Sequence, residues 1–313
     1  MLKKLQPDQW RWIEQSKKLI VWTVLAIIFT RAFTALLTPG YSYDQNAFTL
    51  WGMRMVQTPA SEFYAEGYFA DYPPGYLWVL KLVGMAMLHW NIPLGSALAG
   101  LLLALPVVLG EAVLGAVLVY TAYSRHGEKA GKFWAWVAVL NPSLWFNTGV
   151  WKQVDALFGM LLMVCFLLLA EKEYIWGAFF YGMALSMKPQ ALILGPVLAV
   201  AFLLPCLNPA TRWRQCKRIG LGALVSVAVV WLPAIPFWGP IQALPKLVEK
   251  YIETSGGYPY ASINAAGLMA ALGANWHSWD EKFLLFSWKT WGTLFILLVT
   301  VWMIWLAWKS WKQ

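Results

Sequence analysis

Charged residues are scarce in this chain: Asp, Glu, Lys and Arg make up 12% of its 313 residues, against about 25% in typical globular domains. The three histidines, His89, His126 and His277, are far apart and form no metal-ligand spacing. Cys206 and Cys216 lie in or beside a basic loop that we expect in the cytoplasm, where disulfides are rare. These absences exclude a zinc-finger module and a disulfide-stabilised secreted domain.

Long apolar runs dominate the chain instead. Hydrophobic residues make up 60% of it, the mean hydropathy is +0.55, and several runs approach the roughly 20 residues that span a bilayer. Continuous apolar runs indicate helices, because barrel strands would alternate in polarity. Part of the 22 tryptophans is expected in belts at both membrane faces. We predict an all-α fold, a polytopic transmembrane helical bundle with about 8–10 spans.

The net charge of +9 is distributed in clusters that predict topology. Basic residues precede the first apolar run, fill two short loops and close the chain: Lys3, Lys4, Arg11, Lys17 and Lys18; Arg125, Lys129 and Lys132; Arg212, Arg214, Lys217 and Arg218; Lys309 and Lys312. These clusters follow the positive-inside rule, with attraction to anionic membrane lipids as a secondary effect. No basic stripe is interleaved with base-stacking positions, so no nucleic-acid partner is expected.

The same clusters predict an integral membrane protein, in the plasma membrane of a bacterium, with cytoplasmic N- and C-termini. Residues 1–18 form the cytoplasmic N-terminus, and the apolar run after them is expected to be an uncleaved signal anchor. The whole chain, residues 1–313, is expected to form one membrane domain without a separate soluble domain.

Two long loops are predicted on the external face. The first covers residues 39–72 and contains residues 45–57, whose helical periodicity predicts an interfacial helix. The second covers residues 239–287 and contains residues 241–254, whose pattern predicts another amphipathic surface helix. Between the first external loop and the next basic loop, residues 73–123 cross the membrane once or three times, and their length fits three short helices better.

Two acidic residues in the first external loop are candidates for function. Asp44 begins the predicted interfacial helix, so it is either an N-cap or a general base for a membrane-borne substrate. Asp71 precedes Tyr72 and the pair Pro73 and Pro74, which predict a stiff entry into the next helix. A helix start explains the prolines and an interfacial tyrosine but does not require the acid.

Two further breaks between apolar runs carry polar side chains. In residues 141–155, Lys152 and Asp155 are three apart and could pair on a helix surface. Ionisable residues near membrane depth are costly, however, which favours a functional role. Lys188 and Gln190 form the second break, where a lysine on the external side runs against the positive-inside trend. An anionic ligand such as a phosphate would explain it.

Arg31 is another basic residue near the external side, since it lies about seven residues before the external end of the first helix. Its side chain either binds an anionic ligand or reaches the interface by snorkelling. Asn264, in the second external loop, is an ordinary turn residue when taken alone. All of these polar residues lie at or near the predicted external face, opposite the basic clusters.

Taken together, these residues resemble the pattern of the PIG-V-like mannosyltransferases, which belong to the GT-C superfamily of integral-membrane glycosyltransferases. The resemblance covers roughly residues 20–275 and rests on Asp44 after the first helix followed, in order, by ADYPPGYLWVL, NPSLWFNTGVWKQVDALF, GMALSMKPQALIL and PYASINAAGLMAALG. It implies a GT-C-like fold and a transferase that takes a sugar, mannose or another hexose, from a polyprenyl-phosphate donor and inverts its anomeric centre.

The resemblance also implies residue roles. Asp44 corresponds to the catalytic base and Asp71 to a second carboxylate, and either would be the ligand of a Mg²⁺ or Mn²⁺ ion if the enzyme uses one. Lys188 and Gln190 correspond to contacts of the donor phosphate, a role for which Lys152 and Arg31 are further candidates. Gln153, Asp155, Tyr72 and Asn264 are candidate substrate contacts. The acceptor would be a glycan, a lipid or a protein hydroxyl, and a partner subunit could complete its site.

Two other functions fit the same features. A transporter or flippase of lipid-linked sugars would also need phosphate-binding cations and aromatic platforms. It would distribute polar residues through the bilayer and show an internal repeat, neither of which is evident in the sequence. A non-catalytic subunit of a larger glycosyltransferase complex is the third alternative.

Overall fold

The computed structural model describes residues 7–263 and 267–312, which are almost entirely helical. The helices are α1 (Pro7–Leu37), α2 (Ser42–Gln57), α3 (Pro74–His89), α4 (Ala97–Leu140), α5 (Pro142–Trp145), α6 (Asp155–Ala170), α7 (Tyr174–Met187), α8 (Gly195–Leu203), α9 (Arg212–Gly256), α10 (Leu268–Ala271) and α11 (Trp288–Lys312). Short 3₁₀-helices cover Ala60–Glu62, Pro189–Leu194 and Leu204–Leu207, and a π-helix covers Phe146–Trp151. The strands β1 (Lys282–Phe283) and β2 (Phe286–Ser287) form an antiparallel hairpin.

Five segments of the described chain are helical, long and apolar enough to cross a membrane. They are Glu14–Leu37, Ala97–Trp151, Pro189–Leu207, Arg212–Thr254 and Trp288–Lys309. The predicted all-α polytopic membrane bundle is therefore confirmed. Two of these segments are interrupted by a glycine with a left-handed backbone, Gly127 at φ 82° in α4 and Gly239 at φ 74° in α9.

The chain divides into two compact units. Unit 1 contains Met1–Ala70 and Pro74–Leu168, and unit 2 contains Asp71–Pro73 and Leu169–Gln313. Unit 1 therefore carries Asp44 and the segment around Lys152, whereas unit 2 carries Asp71, Tyr72 and Lys188. That residues 1–313 form one membrane domain stays a prediction.

Unit 1 is built on α1 and α4, which run antiparallel. Tyr123 Oη donates to Gln15 Oε1 at 3.4 Å near one end, and Ile27 packs with Ala112 and Ala138 in the middle. Gly115 allows this approach, because a Cβ there would lie 2.6 Å from Ile27 Cδ1. Small residues let membrane helices pack closely, which fixes α1 and α4 as the frame of unit 1.

The same geometry decides how residues 73–123 cross the membrane. At its start α4 lies beside the end of α1, since a Cβ on Gly100 would be 2.5 Å from Lys152 Nζ, which is bonded to Thr38 O. α3 has only 16 residues, fewer than the roughly 20 that a span needs. Only α4 is long enough to cross in this segment, so it crosses once. The preference for three short helices was wrong.

α2, which lies where the sequence predicted an interfacial helix, packs side by side with α3. Gly84 is in close contact with α2, because a Cβ there would lie 2.6 Å from Gly52 O. Phe48 and Tyr76 are buried, with their ring centroids 5.7 Å apart. The prediction of a helix over residues 45–57 is confirmed, although α2 begins at Ser42. This packing supports the first turn of α2, which carries Asp44.

Unit 2 is organised around α7 and α9. Gly182 of α7 faces α9, where a Cβ would lie 2.8 Å from Ser226 O, and Gly222 of α9 faces Ala178 in the same way at 3.2 Å. Beyond Gly239, α9 continues to Gly256, so the amphipathic helix predicted for residues 241–254 is confirmed. This last part of α9 carries Lys250 and Thr254 toward the Asp71 segment.

Candidate active site

Asp44 is held by side chains from a distant part of unit 1. It is half-buried in the first turn of α2. Its Oδ2 atom accepts hydrogen bonds from Trp151 Nε1 at 2.7 Å and Gln153 Nε2 at 2.5 Å. No donor among the described residues bonds Oδ1. One carboxylate oxygen is therefore oriented by two neutral donors, and the other can accept a proton.

The structure does not support the N-cap interpretation of Asp44. The N-cap of α2 is Tyr41, three residues before the position that the sequence suggested, and its side chain makes no capping bond. Asp44 instead lies inside the first turn, where a carboxylate still interacts favourably with the positive end of the helix dipole. Its hydrogen bonds go to an indole and an amide, so the residue has no capping role that would occupy it.

The two donors reach Asp44 because the chain between α4 and α6 is irregular. Asn141 Oδ1 accepts from Ser143 N at 2.9 Å and Leu144 N at 3.1 Å, which ends α4 and starts α5. The π-helix Phe146–Trp151 follows, and Lys152 then adopts a left-handed backbone with φ 66°. π-Helical turns occur often at functional sites. Here the irregular backbone directs the side chains on both sides of Lys152 toward α2.

Gln45 fixes the same segment from α2. Its Nε2 atom donates to Trp151 O at 3.2 Å, and Tyr41 contacts the Trp151 ring edge-on at 5.5 Å between centroids. Two consecutive residues of α2 therefore bind Trp151: Asp44 binds its indole N–H, and Gln45 binds its backbone oxygen. The indole N–H has little freedom to leave Asp44.

Lys152 is buried, with 1% of its surface exposed. Its Nζ atom donates to Thr38 O at 2.8 Å, just past the end of α1, where a cation complements the helix dipole. The ammonium group therefore bonds this carbonyl and not Asp155, the partner that the spacing suggested. Burial lowers the pKa of Lys152. A phosphate contact of Lys152 stays a prediction.

Arg31 forms an ion pair inside unit 1. Its Nε and Nη2 atoms donate to Glu111 Oε1 at 3.0 and 2.7 Å, and neither side chain is more than 1% exposed. The guanidinium also lies 4.6 Å from the centre of the Trp145 ring. The side chain points into the unit and does not snorkel to an interface. Its predicted phosphate contact stays a prediction, and the structure gives it the Glu111 carboxylate as a partner.

The Arg31 pair is connected to the segment that carries the Asp44 donors. Trp145, beside the guanidinium, donates from Nε1 to Thr34 Oγ1 at 2.9 Å. Thr38 Oγ1 donates to Gly149 O at 3.0 Å, inside the π-helix. α1 and the residue after it therefore hold α5 and the π-helix at two positions, Thr34 and Thr38. The buried ion pair lies beside the first of these contacts.

Asp155 begins α6 and is exposed. Its Oδ2 atom accepts from Asn147 Nδ2 at 3.1 Å. This bond joins the two ends of the irregular segment. A substrate contact by Asp155 or Gln153 stays a prediction. Asn264, another candidate substrate contact, lies outside the described residues.

Asp71 has a different environment in unit 2. Its Oδ2 atom accepts from Tyr258 Oη at 2.5 Å, and its backbone O accepts from Thr254 Oγ1 at 3.0 Å. Burial raises the pKa of Asp71, against the lowering effects of the Tyr258 hydrogen bond and the charges of Lys188 and Lys250. Asp71 is thus a half-buried acid among a phenol and two cations.

The other unit 2 candidates lie at the end of α7. Lys188 caps α7 in an extended conformation, and its Nζ atom is 5.6 Å from the centre of the Tyr72 ring. Gln190 is exposed in the 3₁₀-helix that follows. The structure therefore brings Asp71, Tyr72 and Lys188 together. Their contacts with a donor phosphate or a substrate stay predictions.

Neither carboxylate has surroundings that fit a divalent metal. Asp44 Oδ2 is occupied by N–H donors, and Asp71 by a phenol near two cations, whereas Mg²⁺ and Mn²⁺ require several oxygen acceptors. The described parts of the chain contain no group of three or more His, Cys, Asp and Glu side chains arranged as a metal site. The chemistry derived below uses the protein's own groups.

The sequence did not indicate several of the residues at these sites. Glu111 could have been found, because it is the only charged residue in the apolar run over residues 97–123, just as Arg31 is in its own run. Buried charges of opposite sign in two such runs are expected to pair. Trp151, Tyr258 and Lys250 gave no such signal, since each acts through a partner far away in sequence.

The structure thus defines a polytopic helical membrane protein with a carboxylate oriented near the end of a span. Comparison with family models identifies the particular family: the chain belongs to the ALG6, ALG8 glycosyltransferase family, whose model matches residues 27–252. The protein is therefore a GT-C type membrane glycosyltransferase that uses a lipid-linked sugar donor. The predicted GT-C class is confirmed, and the closer likeness to PIG-V-like enzymes stays a prediction. No curated protein matches the chain.

Proposed function

We propose that this protein is an inverting hexosyltransferase, with mannose as the first candidate sugar and a polyprenyl phosphate as the lipid carrier. Membership of the glycosyltransferase family supports group transfer, and the arrangement around Asp44 supports a general base. The observation that carries the proposal is the asymmetry of this carboxylate: Oδ2 is bound by Trp151 and Gln153, and Oδ1 has no donor among the described residues.

In this mechanism Asp44 Oδ1 takes the proton of the acceptor hydroxyl. The acceptor oxygen forms a bond to the anomeric carbon from one side as the bond to the phosphate oxygen breaks on the other. The anomeric configuration is therefore inverted, and the electron pair of the broken bond leaves on the polyprenyl phosphate. A lipid phosphate is already a good leaving group, so one base and nearby positive charge are sufficient.

Positive charge for the departing phosphate comes from lysines. Lys152 lies in the same unit as Asp44, and Lys188, with Gln190, belongs to unit 2. Lysines on this side run against the positive-inside trend, and an anionic partner would give a local reason for them. We propose that the donor phosphate is this partner.

The proposed orientation has both termini in the cytoplasm and Asp44 at the external face of a bacterial plasma membrane. The support is the charge distribution: the clusters around Arg125 and Arg214 and at the C-terminus belong to one side by the positive-inside rule. Thr38, at the opposite end of α1 from its basic flank, then faces outward together with Asp44. The acceptor would be a glycan, a lipid or a protein hydroxyl on that side.

The test uses the purified full chain in lipid nanodiscs with radiolabelled polyprenyl-phosphate mannose, polyprenyl-phosphate glucose and, as acceptors, extracts from cells that lack the protein. We expect label from one of the two donors in a new glycosidic bond, with the opposite anomeric configuration in the product. Glu66→Gln, a change of an exposed acid in the same external loop, should retain this activity.

Two results would overturn the proposal. In proteoliposomes, movement of labelled donor between leaflets without a new glycosidic bond would indicate a flippase. Transfer that occurs only after a second glycosyltransferase is added would indicate a non-catalytic subunit.

A further inference from the structure

Cys206 and Cys216 bring their thiols together in unit 2. Cys206 lies in the 3₁₀-helix Leu204–Leu207 and Cys216 in the second turn of α9. Both are free cysteines, and their Sγ atoms are 2.7 Å apart. A disulfide bond is about 2.0 Å long, so the sulfurs need to move by less than about 1 Å to form one.

The backbone between the two cysteines maintains this proximity. Thr211 N donates to Asn208 O at 3.2 Å, and Ala210 N donates to Asn208 Oδ1 at 3.1 Å. Arg212 Nε reaches back to Cys206 O at 3.2 Å. The connection is therefore a hydrogen-bonded turn, and the start of α9 directly after it places Cys216 beside Cys206.

The pair is also open to reagents. Both cysteines are half-buried, whereas the remaining cysteine, Cys165, is buried in α6. Four basic residues follow the turn, at the start of α9: Arg212, Arg214, Lys217 and Arg218. Positive charge raises the local concentration of anionic reagents, among them glutathione disulfide. Permanent disulfides are rare in a reducing compartment, which is why the sequence predicted none here. Transient disulfides do form in such compartments.

We propose that Cys206 and Cys216 form a dithiol site that exchanges reversibly with disulfides. One cysteine thiolate attacks a sulfur of the oxidant, which gives a mixed disulfide and releases the first thiol. The second cysteine thiolate attacks the mixed disulfide, forms the Cys206–Cys216 bond and releases the second thiol. Two cysteines are oxidised, the oxidant disulfide is reduced to two thiols, and the two cysteine protons end on those thiols.

The experiment incubates the full chain in detergent micelles with mixtures of glutathione disulfide and reduced glutathione, followed by acid quenching and alkylation of free thiols in denaturant. We expect the number of alkylated thiols per chain to fall from three to one as the oxidant fraction rises, and to return to three with excess reduced glutathione. Peptide mass spectrometry should find Cys206 linked to Cys216 in monomeric protein, with Cys165 alkylated.

Variants with one cysteine replaced distinguish the Cys206–Cys216 disulfide from other reactions of the thiols. In Cys165→Ser, the number of alkylated thiols should fall from two to zero, because Cys206 and Cys216 still form the bond. Cys206→Ser should accumulate a stable glutathione adduct on Cys216, because the second thiol that would displace it is missing. Three alkylated thiols in wild type at every ratio would overturn the proposal. So would persistent glutathione adducts in wild type, or links only between chains.

Discussion

Asp44 in unit 1 and Asp71 in unit 2 are both half-buried carboxylates, and each accepts a hydrogen bond from an aromatic side chain, but their wider surroundings differ. Asp44 is bound by an indole and an amide, which carry no charge. Asp71 is bound by a phenol, with Lys188 and Lys250 close enough to affect its pKa. The hydrogen-bond donors of Asp44 are thus neutral, whereas Asp71 lies near positive charges, which also attract anionic ligands.

This difference suggests separate tasks for the two units. In the proposed mechanism unit 1 presents the base, which is supported by a buried ion pair, a π-helix and the end of α1. Unit 2 presents cations on α7 and α9 beside an acid that balances part of their charge. We therefore expect changes in unit 1 to affect the rate of the chemical step, and changes in unit 2 to affect binding of the anionic donor.

The largest effect on stability is expected from the buried ion pair of unit 1. Glu111→Gln leaves the Arg31 guanidinium buried without its countercharge, and loss of one partner of such a pair costs about 3–5 kcal/mol. The thermal unfolding midpoint in detergent micelles should fall clearly. Glu249→Gln, which breaks the exposed pair with Lys246, should cost under about 1 kcal/mol.

A double variant tests why Glu111→Gln loses stability. Arg31→Met with Glu111→Leu removes both charges, so much of the stability should return. An equal loss in the double variant would mean that packing, and not the uncompensated charge, accounts for the effect.

The next effect concerns the donors to Asp44. Trp151→Phe keeps the ring contact but removes the N–H, and Gln153→Leu removes the amide. A hydrogen bond to a charged group contributes about 1.5–3 kcal/mol, so kcat should fall by about ten- to a hundredfold with little change in the donor KM. Gln57→Leu, an exposed change at the end of α2, is the control. A raised KM at unchanged kcat would contradict the assigned role.

Unit 2 should show the opposite kinetic pattern. Lys188→Gln and Lys250→Gln each remove a positive charge, and we expect the KM for the polyprenyl-phosphate donor to rise about tenfold, or about 1.4 kcal/mol, while kcat changes little. Lys246→Gln on the exposed side of α9 is the matched control. A fall in kcat at unchanged KM would show that these lysines do not act by binding the donor.

The smallest effect is expected from Tyr258→Phe. The Tyr258 hydrogen bond lowers the pKa of Asp71, against the larger raising effect of burial, so its loss should raise this pKa further. Asp71 then becomes ionised only at higher pH, and the acid limb of the pH profile of kcat/KM should shift upward. Tyr260→Phe should leave the limb in place. A downward shift would contradict the assignment.

The sequence predicted the helical membrane class and the polar segments that line both sites, because these depend on local composition. α2 and the last part of α9 were predicted from their periodicity alone. The partners of Asp44 were beyond such reasoning, since Trp151 and Gln153 are separated from it by 107 and 109 residues. Only the packing of α1 against α4 and the π-helix brings these segments together.

Two sequence interpretations failed for physical reasons. The N-cap interpretation of Asp44 failed because α2 begins at Ser42, which puts the carboxylate inside the first turn. The three-helix estimate for residues 73–123 failed because α3 packs on α2 beyond the end of α1 and does not form a span. Both errors concern the boundaries of elements, which depend on tertiary contacts more than on local pattern.

The most direct test of the central claim is the kcat of Asp44→Asn at saturating polyprenyl-phosphate sugar, measured beside wild type and Asp71→Asn. We predict a fall of about 10²- to 10⁴-fold for Asp44→Asn, the usual contribution of a general base, with donor binding retained and a much smaller fall for Asp71→Asn. Wild-type kcat in Asp44→Asn, with the larger loss in Asp71→Asn, would contradict the account.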